Sequence, residues 1–173
     1  MNFSIKDAQI KLQKGDITSV ELVQSSLQVI EKHQADSGVA FTKVNADSAL
    51  AQAKVADARI AMGDSAPLLG LPISIKDSMD HKGEITTAGS RIFSKNGEAT
   101  HDADAVALVK KAGGIIVGRT NMSEFAFSGL GVNPHYGTPV HPVRSEYVAG
   151  GSTSGGAVSV ALGSVFAALG SDT

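Results

Sequence analysis

The chain has 173 residues, 42% of them hydrophobic, with 15 basic and 17 acidic side chains, a formal net charge of -2 and no cysteine. This is the profile of one ordinary globular domain, burying roughly two-thirds of its unfolded surface, and it excludes a disordered chain. Lacking cysteine, it has no disulfide framework, zinc ribbon or thiol catalyst; lacking a basic tract longer than Lys110-Lys111, it shows no footprint of a direct nucleic-acid partner.

The first third reads as helices. MNFSIKDAQIKLQKGD carries Lys6 and Asp7 early and has no apolar stretch, so no secretory signal is visible. Ser4 and Asp7 form an S-x-x-D box before a short amphipathic helix stopped by Gly15. Thr18 and Glu21 form a second box, and Val20, Val23, Leu27 and Ile30 recur at helical steps to about His33. Ala40 to Val44 (AFTKV) reads as a short strand, and Asn45 is placed to cap an alanine-rich helix ending at Gly63. These elements make a helical lead-in over residues 1–65.

Residues 66–173 have an α/β texture. LPISIKD predicts a strand ending at Lys76-Asp77. DADAVALVKKAGG predicts a helix over Asp102 to Ala112, with acids first, lysines last and Gly113-Gly114 as the stop. IIVG (Ile115 to Gly118) predicts a buried strand, RTNMSEF a polar turn, and the stretch from Ser128 to Gly156 an ordered, functional loop. A helix over Gly155 to Leu162, buried through Ala157, Val158, Val160, Ala161 and Leu162, and a strand in SVFAALG close the chain. Strand, helix, strand in this order predicts parallel strands with crossover helices. AVSVALGSVFAALG is too short and too broken by Ser and Gly to span a bilayer. A cytoplasmic location with no membrane contact is the expectation.

Residues Gly150 to Gly156 (GGSTSGG) hold four glycines and three hydroxyls and run straight into an apolar helix. A plain linker should join independent blocks, which this loop does not. The Walker pattern fails for want of a lysine after Gly155-Gly156, and neither G-x-G-x-x-G nor G-x-S-x-G fits. What remains is a cluster of hydroxyls at a helix start, able to relay a proton if a base is near. None of the five histidines (His33, His81, His101, His135, His141) stands in a triad-like arrangement. Lys76, at the end of a buried strand, lies where α/β proteins bind ligands. A lysine titrates near ~10.4, but desolvation can bring it to roughly 7–8, where a neutral amine accepts a proton. Taken alone, Lys76 reads first as a solvated surface charge.

In chain order, GLPISIKD, TNMSEF, NPHYGTPVHP and GGSTSGGAVSVALGSVFAALGSDT resemble the amidase signature family, over nearly the whole chain. The resemblance implies the N-terminal part of a single amidase domain, a large mixed sheet wrapped in helices. It implies hydrolysis of a carboxamide by a Ser–cisSer–Lys triad, with Lys76 as the terminal base and Ser152 as the bridging serine beside a cis peptide. Ser128 matches a position on the acyl side of the substrate pocket, and Asp172 and Thr173 the loop whose N–H groups stabilise the oxyanion. No cofactor or metal is implied.

The family motif continues Gly-Gly-Ser after GSDT, which puts the attacking serine three positions beyond Thr173. The 173 residues by themselves are therefore expected to be inactive, and Ser154 is not placed to substitute. IIVG and SVFAALG are expected to expose apolar faces and unpaired edges. TTAGSRIF and FSGLGVNPHYGTPVHP look more like general amidases acting on a small carboxamide than like the A subunit of the glutamyl-tRNA amidotransferase, which is the alternative. A homodimer fits the first reading, and B and C subunits would be the partners under the second. A non-catalytic homologue that binds a partner or a carboxamide is a third reading. A metal hydrolase on His101-Asp102-Ala103-Asp104 is weaker than a plain helix start there.

Overall fold

The computed structural model of the chain describes residues 3–172. Helix α1 (Ile5–Lys14) begins where the Ser4 hydroxyl accepts the Asp7 N–H at 3.2 Å and the Asp7 carboxylate takes the Ser4 N–H at 3.3 Å; it stops at Gly15, in the left-handed region at φ 74°. Helix α2 (Ser19–Ala35) starts on the matching Thr18–Glu21 box. Helix α3 (Ala46–Ala61) differs from expectation at its start. Asn45 holds the cap position, but its side chain makes no cap bond, and its backbone at φ -109°, ψ 51° is outside the extended conformation of a capping residue.

Among the described residues, four strands form one mixed sheet: β1 (Phe41–Val44), β2 (Pro72–Lys76), β3 (Ile115–Thr120) and β4 (Ala167–Leu169), in the order β1-β3-β2-β4. β2 runs parallel to both β3 and β4, with α4 (Asp104–Lys111) crossing from β2 to β3 and α5 (Ser154–Ala161) from β3 to β4. β1 returns from the helical lead-in to pair antiparallel with β3. β3 is two residues longer than IIVG, because Arg119 and Thr120 continue the ladder opposite Ile75 and Lys76. The expected exposure of IIVG is overturned: all six β3 residues are buried, since β1 and β2 flank the strand. β1 and β4 are the sheet edges, and β4 is half-buried.

Alternation of side chains along β3 explains the layering. Ile115 and Val117 face α2 and α3, where Val23, Ile30, Ala49 and Ala53 pack, whereas Ile116 meets Val106 of α4 and Ile75 of β2 on the other face. Ala8 and Leu12 seat α1 against Leu22 and Leu71. Among the described residues, no helix is long and apolar enough to cross a membrane.

The α5 face is the second correction. Ala157, Val160 and Ala161 are exposed, while Ser154, Gly155, Gly156, Val158 and Ser159 are buried. Close approach decides this: a Cβ on Gly155 would stand 2.1 Å from the Ala40 carbonyl oxygen and 2.6 Å from the Asn121 nitrogen. The small face goes in because only it fits against backbone. Gly155→Ala is expected to push the start of α5 off β3 and to cost about 1–3 kcal/mol or more, read by urea unfolding; a wild-type midpoint would refute that packing.

Candidate active site

Lys76 is the last residue of β2 and is fully buried, at 0% exposure. Its neighbours β3 and β4 run parallel to it, so the amine opens at the carboxyl end of the strands, in the crevice where open α/β sheets bind ligands. The Nζ donates to Ser152 Oγ at 2.7 Å and to Ser171 Oγ at 2.9 Å, with the Ser171 carbonyl at 3.4 Å. Burial pushes this amine below the ordinary lysine range, and the Asp172 charge opposes that shift.

Ser152 reaches Lys76 from the loop before α5. The Gly151–Ser152 peptide is cis. The loop is held from one side by residues 121–131: the Ser123 N–H donates to the Ser152 carbonyl at 3.0 Å, Gly151 N–H to Gly129 O at 2.8 Å, and Gly155 N–H to Asn121 O at 2.9 Å. Gly131, at φ 75°, lies so close that a Cβ there would be 2.1 Å from the Gly150 carbonyl oxygen. The long irregular stretch owes its order to Asn133. Its side-chain amide donates to the Gly89 and Met122 carbonyls, both at 2.8 Å, and its oxygen accepts from His135 and Tyr136 N–H.

A cavity of about 340 Å³ opens beside these groups, lined by Gly129, the 149–153 loop, Ala157, Ser171 and Asp172. Asp172 thus stands at the site. Ser128 is half-buried one residue from the lining, its hydroxyl accepting from Leu130 N–H at 3.2 Å and its carbonyl from Ser123 Oγ at 2.7 Å. Thr173 lies outside the described residues. Ser154 is buried and turned to the Asn121 carbonyl at 3.5 Å, away from the cavity. His81 and His135 are engaged with Glu84 and Glu124. Asp102, from the weaker metal reading, accepts Lys110 Nζ at 2.7 Å, and Asp104 lies in the first turn of α4.

Sequence reasoning missed Ser171 and Ser123. Ser171 stood in plain view before Asp172 in GSDT, but contact with a lysine 95 positions earlier has no local signal. It also missed the buried charge network behind the site. Arg119, 1% exposed, puts Nε 2.6 Å from Asp77 Oδ1, and its Nη2 donates to Met79 O at 2.8 Å and Thr86 Oγ1 at 3.2 Å. The Thr87 hydroxyl donates to the other Asp77 oxygen. Burial alone would raise Glu84, yet His81, Lys43 and Arg119 together hold it at about 2.

The family model described as Amidase matches residues 21–173. The chain belongs to the amidase family. Among curated relatives of this chain, the A subunit of the glutamyl-tRNA(Gln) amidotransferase of Desulforapulum autotrophicum is 42% identical over 98% of this chain and 34% of its own length. Its counterpart in Aromatoleum aromaticum is 40% identical over 100% of this chain and 35% of its own. Among solved structures, the peptide amidase of Stenotrophomonas maltophilia superposes with a TM-score of 0.85 at 31% identity, over 95% of this chain and 35% of that one. A chain from a vestigial complex, described for the evolutionary origins of an s-triazine catabolic enzyme, gives a TM-score of 0.93 at 34% identity, over 99% of this chain and 37% of that one. The fold is therefore that of amidase-signature enzymes, and this chain spans about a third of the length of the curated relatives it matches.

Proposed function

We propose that residues 1–173 are the N-terminal part of one amidase domain and supply two members of a Ser–cisSer–Lys relay that hydrolyses a carboxamide to carboxylate and ammonia or amine. The observation that carries this reading is the 2.7 Å contact between Ser152 Oγ and the buried Lys76 Nζ. With the amine neutral, the Ser152 O–H turns to donate to its lone pair. Ser152 then passes a proton from the attacking serine to Lys76 and returns it to the leaving amine. The backbone of the Asp172–Thr173 loop takes the tetrahedral oxyanion, and Ser128 borders the acyl side. The substrate is a small carboxamide, and a cytoplasmic location goes with this reading.

The test has two arms. Reading the coding DNA past codon 173 is expected to show a frame running through Gly-Gly-Ser. A polypeptide extended through that serine to the length of the relatives is expected to release ammonia from small carboxamides, while the 173 residues alone release none. Robust hydrolysis by the 173-residue chain, or a stop directly after Thr173, would count against the proposal.

A second reading has the 42% identity of the amidotransferase relative behind it. Under it the same relay releases ammonia from an amide donor for a tRNA-linked acceptor, in company with B and C subunits. A neighbouring gene for a tRNA-binding B subunit, and co-purification with its product, would select it over a stand-alone amidase.

A further inference from the structure

We propose that Ser171 is a positioning residue for Lys76: its hydroxyl and its carbonyl take the two N–H bonds of the neutral amine, which turns the lone pair to Ser152. The inference rests on the relay reading above and assigns a third serine to it. A neutral amine has two N–H bonds and one lone pair, and it accepts a proton from Ser152 only if the lone pair points there. Free rotation about the Cε–Nζ bond would leave that direction open. Among the described residues, three oxygens surround the nitrogen: Ser152 Oγ at 2.7 Å, Ser171 Oγ at 2.9 Å and Ser171 O at 3.4 Å. Ser152 is the one that the relay reading has giving its proton to the lone pair, while Ser171 Oγ, also a hydroxyl, accepts through its own oxygen. With both Ser171 oxygens acting as acceptors, only one orientation satisfies all three.

Ser171 is itself held in place. It follows β4 by two residues, and the Thr153 hydroxyl donates to its carbonyl at 3.2 Å, so the loop carrying Ser152 also fixes the acceptor. A Cβ on Gly170 would stand 2.7 Å from Thr153 Cγ2, which shows how closely the two loops meet. The charged surroundings of the amine are simple. Asp172 acts on it from the same loop, Asp77 beside it is tied to Arg119 of β3 at 2.6 Å, and β4 and α5 carry no ionisable side chain. Of the titratable groups on α2, which also packs on β2, Glu21, Glu31 and Lys32 are exposed, and His33 is half-buried with its Nε2 accepting the Ala40 N–H at 3.4 Å.

The test reads Lys76 directly, with no need of turnover. The 173-residue chain is labelled with 13C at lysine Cε, the Lys76 signal is identified by its loss in Lys76→Met, and its titration is followed by NMR. Both Ser171 oxygens also solvate the ammonium form, so removing the hydroxyl makes the charge costlier. Ser171→Ala is expected to titrate about one pH unit below wild type, and Ser171→Thr, which keeps the hydroxyl, to match wild type. A merely structural loss would instead move Lys76 up toward its ordinary ~10.4 as the site opens. Should Ser171→Ala lose the native amide spectrum, Ser171→Cys decides the matter, being near in shape but a poor acceptor; it is expected to shift down likewise. An alanine variant with a native spectrum and an unshifted Lys76, or equal shifts in the alanine and threonine variants, overturns the proposal. Carboxamide hydrolysis is scored separately in the extended polypeptide. Hydrolysis without the NMR shift sinks the role of Ser171 alone, whereas the shift without hydrolysis keeps that role and sinks the hydrolase reading.

Discussion

Arg119→Ala is expected to lower the unfolding free energy by about 3–5 kcal/mol, a drop in melting temperature on the order of 10 °C for a chain this size. Arg119 and Asp77 are each only 1% exposed, so truncating the guanidinium leaves a carboxylate that water cannot reach. The Thr87 hydroxyl is then too little to replace a 2.6 Å ion pair. Two further variants make the argument specific. Arg119→Lys keeps the charge but cannot reach Asp77, Met79 and Thr86 in one planar fork, and should recover part of the loss. The double variant Asp77→Asn with Arg119→Met removes both charges and should cost less than Arg119→Ala alone, because no charge is left unpaired. Equilibrium urea unfolding measures all three together with the single changes Asp77→Asn and Arg119→Met, and strict additivity of those two in the double variant would refute the pairing.

Lys76→Met is expected to reduce carboxamide hydrolysis by about 10²–10⁴-fold in a polypeptide extended through the Gly-Gly-Ser serine, the usual weight of a general base. The wild-type rate should rise with pH as the amine deprotonates, and that rise should vanish in the variant. The same burial has a consequence for stability whose sign follows from proton counts. Lys76 has a folded pKa below its unfolded value. Between those two values the unfolded chain binds more protons, so stability increases with pH across that window. Burying Lys76 thus costs stability below that window, and the cost disappears as pH approaches ~10.4. In Lys76→Met this alkaline gain should be missing, which urea unfolding at several pH values can read. A gain of the same size in both proteins would show that Lys76 is not the group responsible.

The apolar residues that α5 turns outward, Ala157, Val160 and Ala161, show why composition misled there. Burial is usually a matter of apolar area, but at α5 it was settled by how near a helix can come to strand backbone. Glycine wins that contest over valine because it has no Cβ to collide with Ala40 and Asn121. Arg119 teaches the converse. It read as part of a polar turn and is instead a fully buried strand residue, since Asp77, 42 positions away, neutralises it. No window of sequence around Arg119 contains that partner.

By itself the sequence determined what depends on neighbours three or four residues apart: the Ser4–Asp7 and Thr18–Glu21 boxes, the stop at Gly15, and the strand ending at Lys76. Its ordered motifs also carried the family and pointed to Lys76 and Ser152. Only the tertiary structure decided that β1 joins β3 antiparallel, that β3 sits inside the sheet, and that Ser171 as well as Ser152 meets the lysine. The physical reason is reach. Caps and turns are bonds between adjacent groups and leave local patterns, whereas contacts between residues 76, 152 and 171 exist only once strands and loops have been brought together by burial of the core between them.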